Sequence, residues 1–197
     1  MRIRYSLFII LSFLLYSTSD SIAQETDSEG DLPSAVLGTA PEPRGESVNY
    51  FPEDPTASGY IVTPDSKGKK PALIIVHEWY GLKLRIKEMA DALADEGYVV
   101  LAADMYSGKT GSNSTENRAL VKESLSDPEY IIRNLDAAAN YLRSRDDVFG
   151  DKIGTMGWCY GGGVVLSYGI GGEHHEATAI FYGSLIDDTE KLKHIGH

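Results

Sequence analysis

The chain has 197 residues and a formal net charge of −11 at pH 7, with 18 Lys and Arg against 29 Asp and Glu. So acidic a surface argues against nucleic acid and anionic membrane as partners, because both would be repelled. A single cysteine, Cys159, allows no intramolecular disulfide, and no His, Cys and Asp cluster has the spacing of metal ligands, so no metal and no cofactor is expected.

Residues 1–23 open with Arg2 and Arg4, run apolar from Leu7 to Tyr16 and end in Ser21-Ile22-Ala23, a small-x-small cleavage signature. An apolar run of about ten residues falls short of the about 20 needed to cross a bilayer. This reads as a cleaved signal peptide: the protein is expected to be exported, periplasmic or secreted, with no membrane contact after cleavage. Residues 24–47 are rich in Glu, Asp, Pro, Gly and Ser and read as a flexible leader. The remainder, 48–197, reads as one domain.

Two short strands are expected at 48–51 and 59–62, divided by turn-forming residues. Residues 72–76 form an apolar run after Lys69-Lys70-Pro71, as in a strand buried on both faces. Ile86, Met89, Ala90 and Leu93 recur at helical spacing before Gly97. Another apolar strand covers 98–102. Asp127-Pro128 reads as a helix cap followed by proline in the first turn, and Ile131, Leu135, Ala138 and Leu142 form that helix's apolar stripe. Strands at 152–156 and 177–182 flank a small-residue helix at 160–168, and a short helical run covers 189–194. Alternating strands and helices predict an α/β fold, a mostly parallel sheet with helices on both faces.

The segment Gly157-Trp158-Cys159-Tyr160-Gly161-Gly162 falls between a strand and a helix. That is the Gly-x-nucleophile-x-Gly pattern of a hydrolase elbow with a thiol in place of the commoner serine; the glycines let strand and helix backbones approach closely. A buried structural cysteine in a glycine-rich turn is the plain alternative. An unperturbed thiol ionises near pH 8.5, at about a few per cent thiolate at neutral pH, and a helix N-terminus beside the sulfur favours the thiolate.

Three segments together resemble the dienelactone hydrolase family of the alpha/beta hydrolases: Val76-His77-Glu78-Trp79-Tyr80-Gly81, the stretch from Gly97 through Asp104-Met105-Tyr106, and the elbow. The resemblance runs from about residue 47 to about residue 195. It implies an alpha/beta-hydrolase fold and hydrolysis of a small ester or lactone through a Cys159 thioester. It also implies that Glu78 exchanges a proton with Cys159 and that the backbone amides of Trp79 and Tyr160 form an oxyanion hole. Trp79, Tyr80, Tyr106, Trp158 and Tyr160 are candidate aromatic walls, with Tyr106 and Trp158 expected at the substrate; each also reads as ordinary core. His77, adjacent to Glu78 on a strand end, should point the other way and be structural.

In the resembling family the orienting Asp and the catalytic His follow two further strands. The chain ends at His197 before either is reached, so it reads as C-terminally incomplete, with the last two strands missing and a monomer expected for the complete form. The rival is a non-catalytic truncated relative or fragment that at most binds ligand. Asp187, Asp188, His174, His175, His194 and His197 do not fit the missing roles. A redox role is disfavoured because no second cysteine could resolve an oxidised one. The family commonly carries an arginine for a substrate carboxylate shortly after the Asp-x-Tyr segment; here Ser107-Gly108-Lys109 follows, leaving Lys109 as the candidate point charge. Asn113-Ser114-Thr115 also matches a glycosylation sequon.

Overall fold

Alternation along two apolar strands sets up the molecule. In β3 (Lys70–Val76) and β4 (Val99–Ala103), successive side chains go to opposite faces, and both faces are covered. Ile74, Val76, Leu101 and Ala103 join one buried cluster, Ile75, Val100 and Ala102 the other. The computed structural model describes residues 33–172, 175–193 and 195. The expected signal peptide, the first part of the leader, His174, His194 and His197 lie outside the described residues.

The strands β1 (Glu46–Asn49), β2 (Ser58–Val62), β3, β4, β5 (Val148–Trp158) and β6 (Ala177–Phe181) form one sheet in the order β1-β2-β4-β3-β5-β6. β1 and β2 enter antiparallel, whereas β4, β3, β5 and β6 run parallel. On one face α2 (Leu84–Asp95) buries Ile86, Ala90 and Ala94. On the other, α4 (Pro128–Arg143) and α5 (Tyr160–Gly171) bury Leu135, Leu142, Val165 and Tyr168. Full burial of each large aliphatic side chain contributes about 1.5–3 kcal/mol. The Asp127 carboxylate caps α4 by accepting the Tyr130 N–H at 2.9 Å, and all four residues of the expected stripe are buried. Among the described residues no helix is long and apolar enough to cross a membrane.

Two segments differ from the sequence reading. Residues 33–47, read as leader, carry a helical turn, α1 (Ser34–Leu37), and the first residues of β1. Composition hid this because the attachment is polar: Ser34 and Ala35 donate to Glu88 of α2, and Arg44 pairs with Asp95 at 2.7 Å. The second is α3 (Ser114–Leu125), a helix with little apolar periodicity. The Asn113 side chain accepts the N–H groups of Thr115 and Glu116 at 3.0 Å, so the asparagine of the sequon is this helix's cap.

α5 can pack against β3 only because position 161 has no side chain. A Cβ on Gly161 would lie 2.4 Å from the Val76 carbonyl oxygen and 2.5 Å from that of His77; one on Gly157 would lie 2.2 Å from the Gly161 carbonyl oxygen. Gly163, on the same helix, meets nothing closer than 3.7 Å. His77, at the end of β3, is fully buried. Its Nδ1–H donates to the Glu78 carbonyl at 2.6 Å, and Nε2 accepts the Met105 N–H at 3.2 Å. Burial pushes its pKa down from 6.5 to about 4, so the ring is neutral in the folded protein.

Two outcomes follow. Gly161→Ala should lose about 2 kcal/mol or more in urea unfolding, because the obstructing atoms are backbone, while Gly163→Ala should be neutral or gain up to about 1 kcal/mol from helix propensity. For His77 the unfolded state binds the proton first as pH falls. The stabilisation of the neutral ring is therefore complete above the unfolded pKa of 6.5 and is lost toward the folded pKa of about 4. Across that window wild type should lose up to about 3 kcal/mol more than His77→Gln, read from unfolding midpoints at pH 7.5 and pH 4.5.

Candidate active site

The parallel strands end on one rim. Val76 lies opposite both Ala103 and Gly157, so the residues that follow β3, β4 and β5 converge: Glu78, Tyr106 and Cys159. Ser107, Cys159 and Tyr182 are the described non-glycine residues with positive φ, at 52°, 54° and 40°. Each follows the carboxyl end of a parallel strand. Such geometry costs on the order of 1–3 kcal/mol per residue and persists where packing enforces it.

Cys159 turns at φ 54° and ψ −117° between β5 and α5. Its N–H donates to the Phe181 carbonyl of β6 at 3.0 Å, and its own carbonyl accepts from Gly162 at 3.1 Å. This holds the residue at the N-terminus of α5, where unpaired helical N–H groups and the positive end of the dipole favour an anion. The thiol is half-buried and free. It opens on a cleft of about 490 Å³ whose walls include Trp79, Tyr160, Val121, Leu125, Tyr182 and Leu185. Trp79 and Tyr160, the two expected oxyanion-hole residues, both line it.

Glu78 is half-buried at the end of β3, while its neighbour His77 turns fully into the core, as strand alternation requires. The Tyr106 hydroxyl is pushed well above its usual range, chiefly by burial and then by the charges of Tyr160, Cys159 and Glu78. Tyr182 is raised by burial, then by Glu78 and Cys159.

The two residues expected at the substrate sit elsewhere. Trp158 stacks on Phe181, with centroids 5.5 Å apart, and packs into the α2-side core. Tyr106 is 4 % exposed and lines a separate cavity of about 160 Å³ with Leu120, Ser124 and Tyr130. The Asp104 carboxylate, buried beneath that loop, accepts the N–H groups of Tyr106 at 2.9 Å and Gly108 at 2.5 Å and fixes its path. Neither Trp158 nor Tyr106 is among the cleft-lining residues.

The sequence reading missed the cleft's charge. Lys109, the expected cation, is bound to Glu123 at 2.6 Å. Arg118 and Lys122, one turn apart on α3, line the cleft beside Cys159. The signal was present in the sequence as two cations at i and i+4 beside Val121 and Leu125. It became legible only once α3 was known to exist. His77 and His175 do not line the cleft: His77 is held at both nitrogens, and the His175 Nε2 shares a hydrogen with Thr178 Oγ1 at 2.6 Å. Asp188 caps α6 (Thr189–Leu192), accepting from Glu190 and Lys191.

A free thiol at a helix N-terminus, opening on a cleft lined also by Trp79, Tyr160, Arg118 and Lys122, is the arrangement to set beside known proteins. The dienelactone hydrolase family matches residues 57–197. The chain is 31% identical over 144 residues to the "Putative carboxymethylenebutenolidase" of Aquifex aeolicus, covering 71% of this chain and 62% of that one. It is equally 31% identical over 146 residues to "Protein usf" of Aquifex pyrophilus, again 71% of this chain and 62% of the relative. The chain therefore spans about 62% of the length of these curated relatives. Among solved structures, a dienelactone hydrolase-like promiscuous phosphotriesterase, P91 from metagenomic libraries, superposes with TM-score 0.66 at 25% identity, covering 78% of this chain and 64% of that one. An esterase of Thermogutta terrifontis, solved with bound propionate, shares the fold at TM-score 0.51 and 19% identity, over 79% of this chain and 64% of that one. Sequence match, sheet order and the position of the elbow agree: the chain belongs to the dienelactone hydrolase family.

Proposed function

We propose that the protein hydrolyses small esters or lactones that carry a carboxylate, with Cys159 as nucleophile. The observation that carries this reading is the cleft that the free thiol, at the N-terminus of α5, shares with Arg118 and Lys122. The Cys159 thiolate attacks the acyl carbon, and the oxygen that becomes negative is held by the N–H groups of Trp79 and Tyr160. The C–O bond breaks, the alcohol or enol oxygen leaves with the proton that Glu78 took from the thiol, and a thioester remains on Cys159. Water then cleaves the thioester to a carboxylic acid and the free thiol. Glu78 takes up the thiol proton as the sulfur enters its anionic state.

Arg118 and Lys122 are the substrate-reading part. In a chain with a net charge of −11, two cations on one turn of a cleft-lining helix mark a place for an anion. Arg118 offers a planar fork to a carboxylate and Lys122 a point charge. The relative's name, carboxymethylenebutenolidase, describes an unsaturated lactone bearing a carboxymethylene group, which has both features. We propose further that residues 1–23 direct export, so the reaction takes place outside the cytoplasm.

The test uses the full-length protein with two chromogenic esters, p-nitrophenyl acetate and the p-nitrophenyl monoester of succinate. Cys159→Ala should lower kcat/KM for both by about 10³-fold or more. Arg118→Gln should raise KM for the succinate ester about tenfold while leaving the acetate within a factor of two. Hydrolysis that survives Cys159→Ala would rule out the nucleophile, and equal effects on both esters would rule out the anion subsite.

A further inference from the structure

The cleft beside Cys159 has an apolar lining that an anion subsite alone does not use. α3 lends it four residues, Arg118, Val121, Lys122 and Leu125. They stand at i, i+3, i+4 and i+7 and so form one stripe along the helix, about 10 Å long at 1.5 Å per residue. Charged and apolar side chains alternate along it. Two further aliphatic side chains, Leu185 and Ile186, line the same cleft. Leu125 is 53 % exposed and Leu185 79 %. Large apolar side chains open to water inside a cleft are places for the apolar atoms of a ligand.

The stripe also has a direction relative to the elbow. Near its C-terminal end the Ser124 hydroxyl meets that of Tyr160, the residue after Cys159, at 2.5 Å. Counted back along α3 from that contact, Lys122 lies about 3 Å and Arg118 about 9 Å along the helix axis, whereas Leu125 belongs to the tethered end. A substrate with its acyl carbon at Cys159 and its carboxylate at Arg118 therefore needs a spacer, and Leu125 and Val121 are the surface along which that spacer runs. The cations have no competing carboxylate: among the described residues neither Arg118 nor Lys122 forms an ion pair. The Arg118 Nε donates to the Ser114 carbonyl at 3.2 Å, which leaves the terminal nitrogens of the guanidinium for a ligand.

We propose that, among carboxylate-bearing esters, this cleft prefers those whose acyl part is an aliphatic chain ending in the carboxylate, with the chain on Leu125 and Val121 and the carboxylate on Lys122 and Arg118. The inference rests on the reading of Cys159 as nucleophile and of the two cations as an anion subsite; it adds the apolar spacing between them. The bond broken and the protons moved are those of the same thioester route.

The experiment measures kcat/KM of the full-length protein for the p-nitrophenyl hemiesters of succinate, adipate and suberate, each two methylenes longer than the last, beside the uncharged butyrate, hexanoate and octanoate esters. Burial of one methylene is worth about fourfold in binding, so the hemiesters should gain about tenfold per step. Arg118→Gln should cost the suberate hemiester about tenfold and leave the octanoate ester within a factor of two. Leu125 is half exposed, so Leu125→Ser leaves the core intact; it should cut the gain from adipate to suberate to about threefold or less and leave the succinate hemiester within a factor of two. Hydrolysis of every ester that survives Cys159→Ala would overturn the nucleophile reading and this proposal with it. Turnover that needs Cys159 but stays flat or falls with hemiester length would overturn this proposal alone, as would a gain that Leu125→Ser leaves in place. A gain confined to the uncharged series would also overturn it, because the cleft would then select apolar acyl chains without a terminal charge.

Discussion

Everything at the rim depends on the close approach of α5 to β3. The Gly161 backbone lies so near the Val76 and His77 carbonyls that any side chain would collide with them. That approach sets the turn at Cys159, which holds φ 54° and donates its N–H to β6. It also sets the distance from the helix N-terminus to the end of β3, where Glu78 stands. Relaxing the contact would move the thiol, the carboxylate and the Tyr160 amide together.

The same rim gathers the strained backbone of the molecule. Ser107, Cys159 and Tyr182 take positive φ after β4, β5 and β6, and two of them are held by a partner: Ser107 Oγ donates to Asp54 at 2.6 Å, and Cys159 N–H reaches Phe181. Asp54 also accepts the Tyr130 hydroxyl at 2.7 Å and is held well below the usual carboxylate range: burial works against this, and the hydrogen bonds from Ser107, Thr56 and Tyr130 outweigh it. Polar ties of this kind give the loops the rigidity that precise acyl transfer requires. α3 adds two cations, Arg118 and Lys122, to the lining of the Cys159 cleft.

The central sheet was legible because its signals are strong and local. Five-residue apolar runs such as 99–103 have no other stable place than between two layers of helix, and the Asp127-Pro128 pair specifies a helix start unambiguously. The elbow was legible from glycine spacing, because only glycine fits where backbones touch. The attachment of residues 33–47 and the existence of α3 were not legible. Ser34, Arg44 and Asn113 act through polar contacts whose partners are distant in sequence or belong to the cap itself, and periodicity does not register them. With α3 unseen, Arg118 and Lys122 had no assigned position. Trp158 and Tyr106 were expected to touch substrate because they flank the motif residues, yet strand alternation sends Trp158 to the far core and the Asp104 cradle turns Tyr106 inward.

The most direct measurement of the central claim is to trap the acyl group. Full-length protein is mixed with p-nitrophenyl acetate, quenched in acid during turnover and mapped by peptide mass spectrometry. The account predicts an acetyl group on the peptide containing Cys159, labile to hydroxylamine as a thioester, and its disappearance as turnover completes. Acetylation confined to another residue, or full turnover with no acetyl on Cys159 at any quench time, would contradict it.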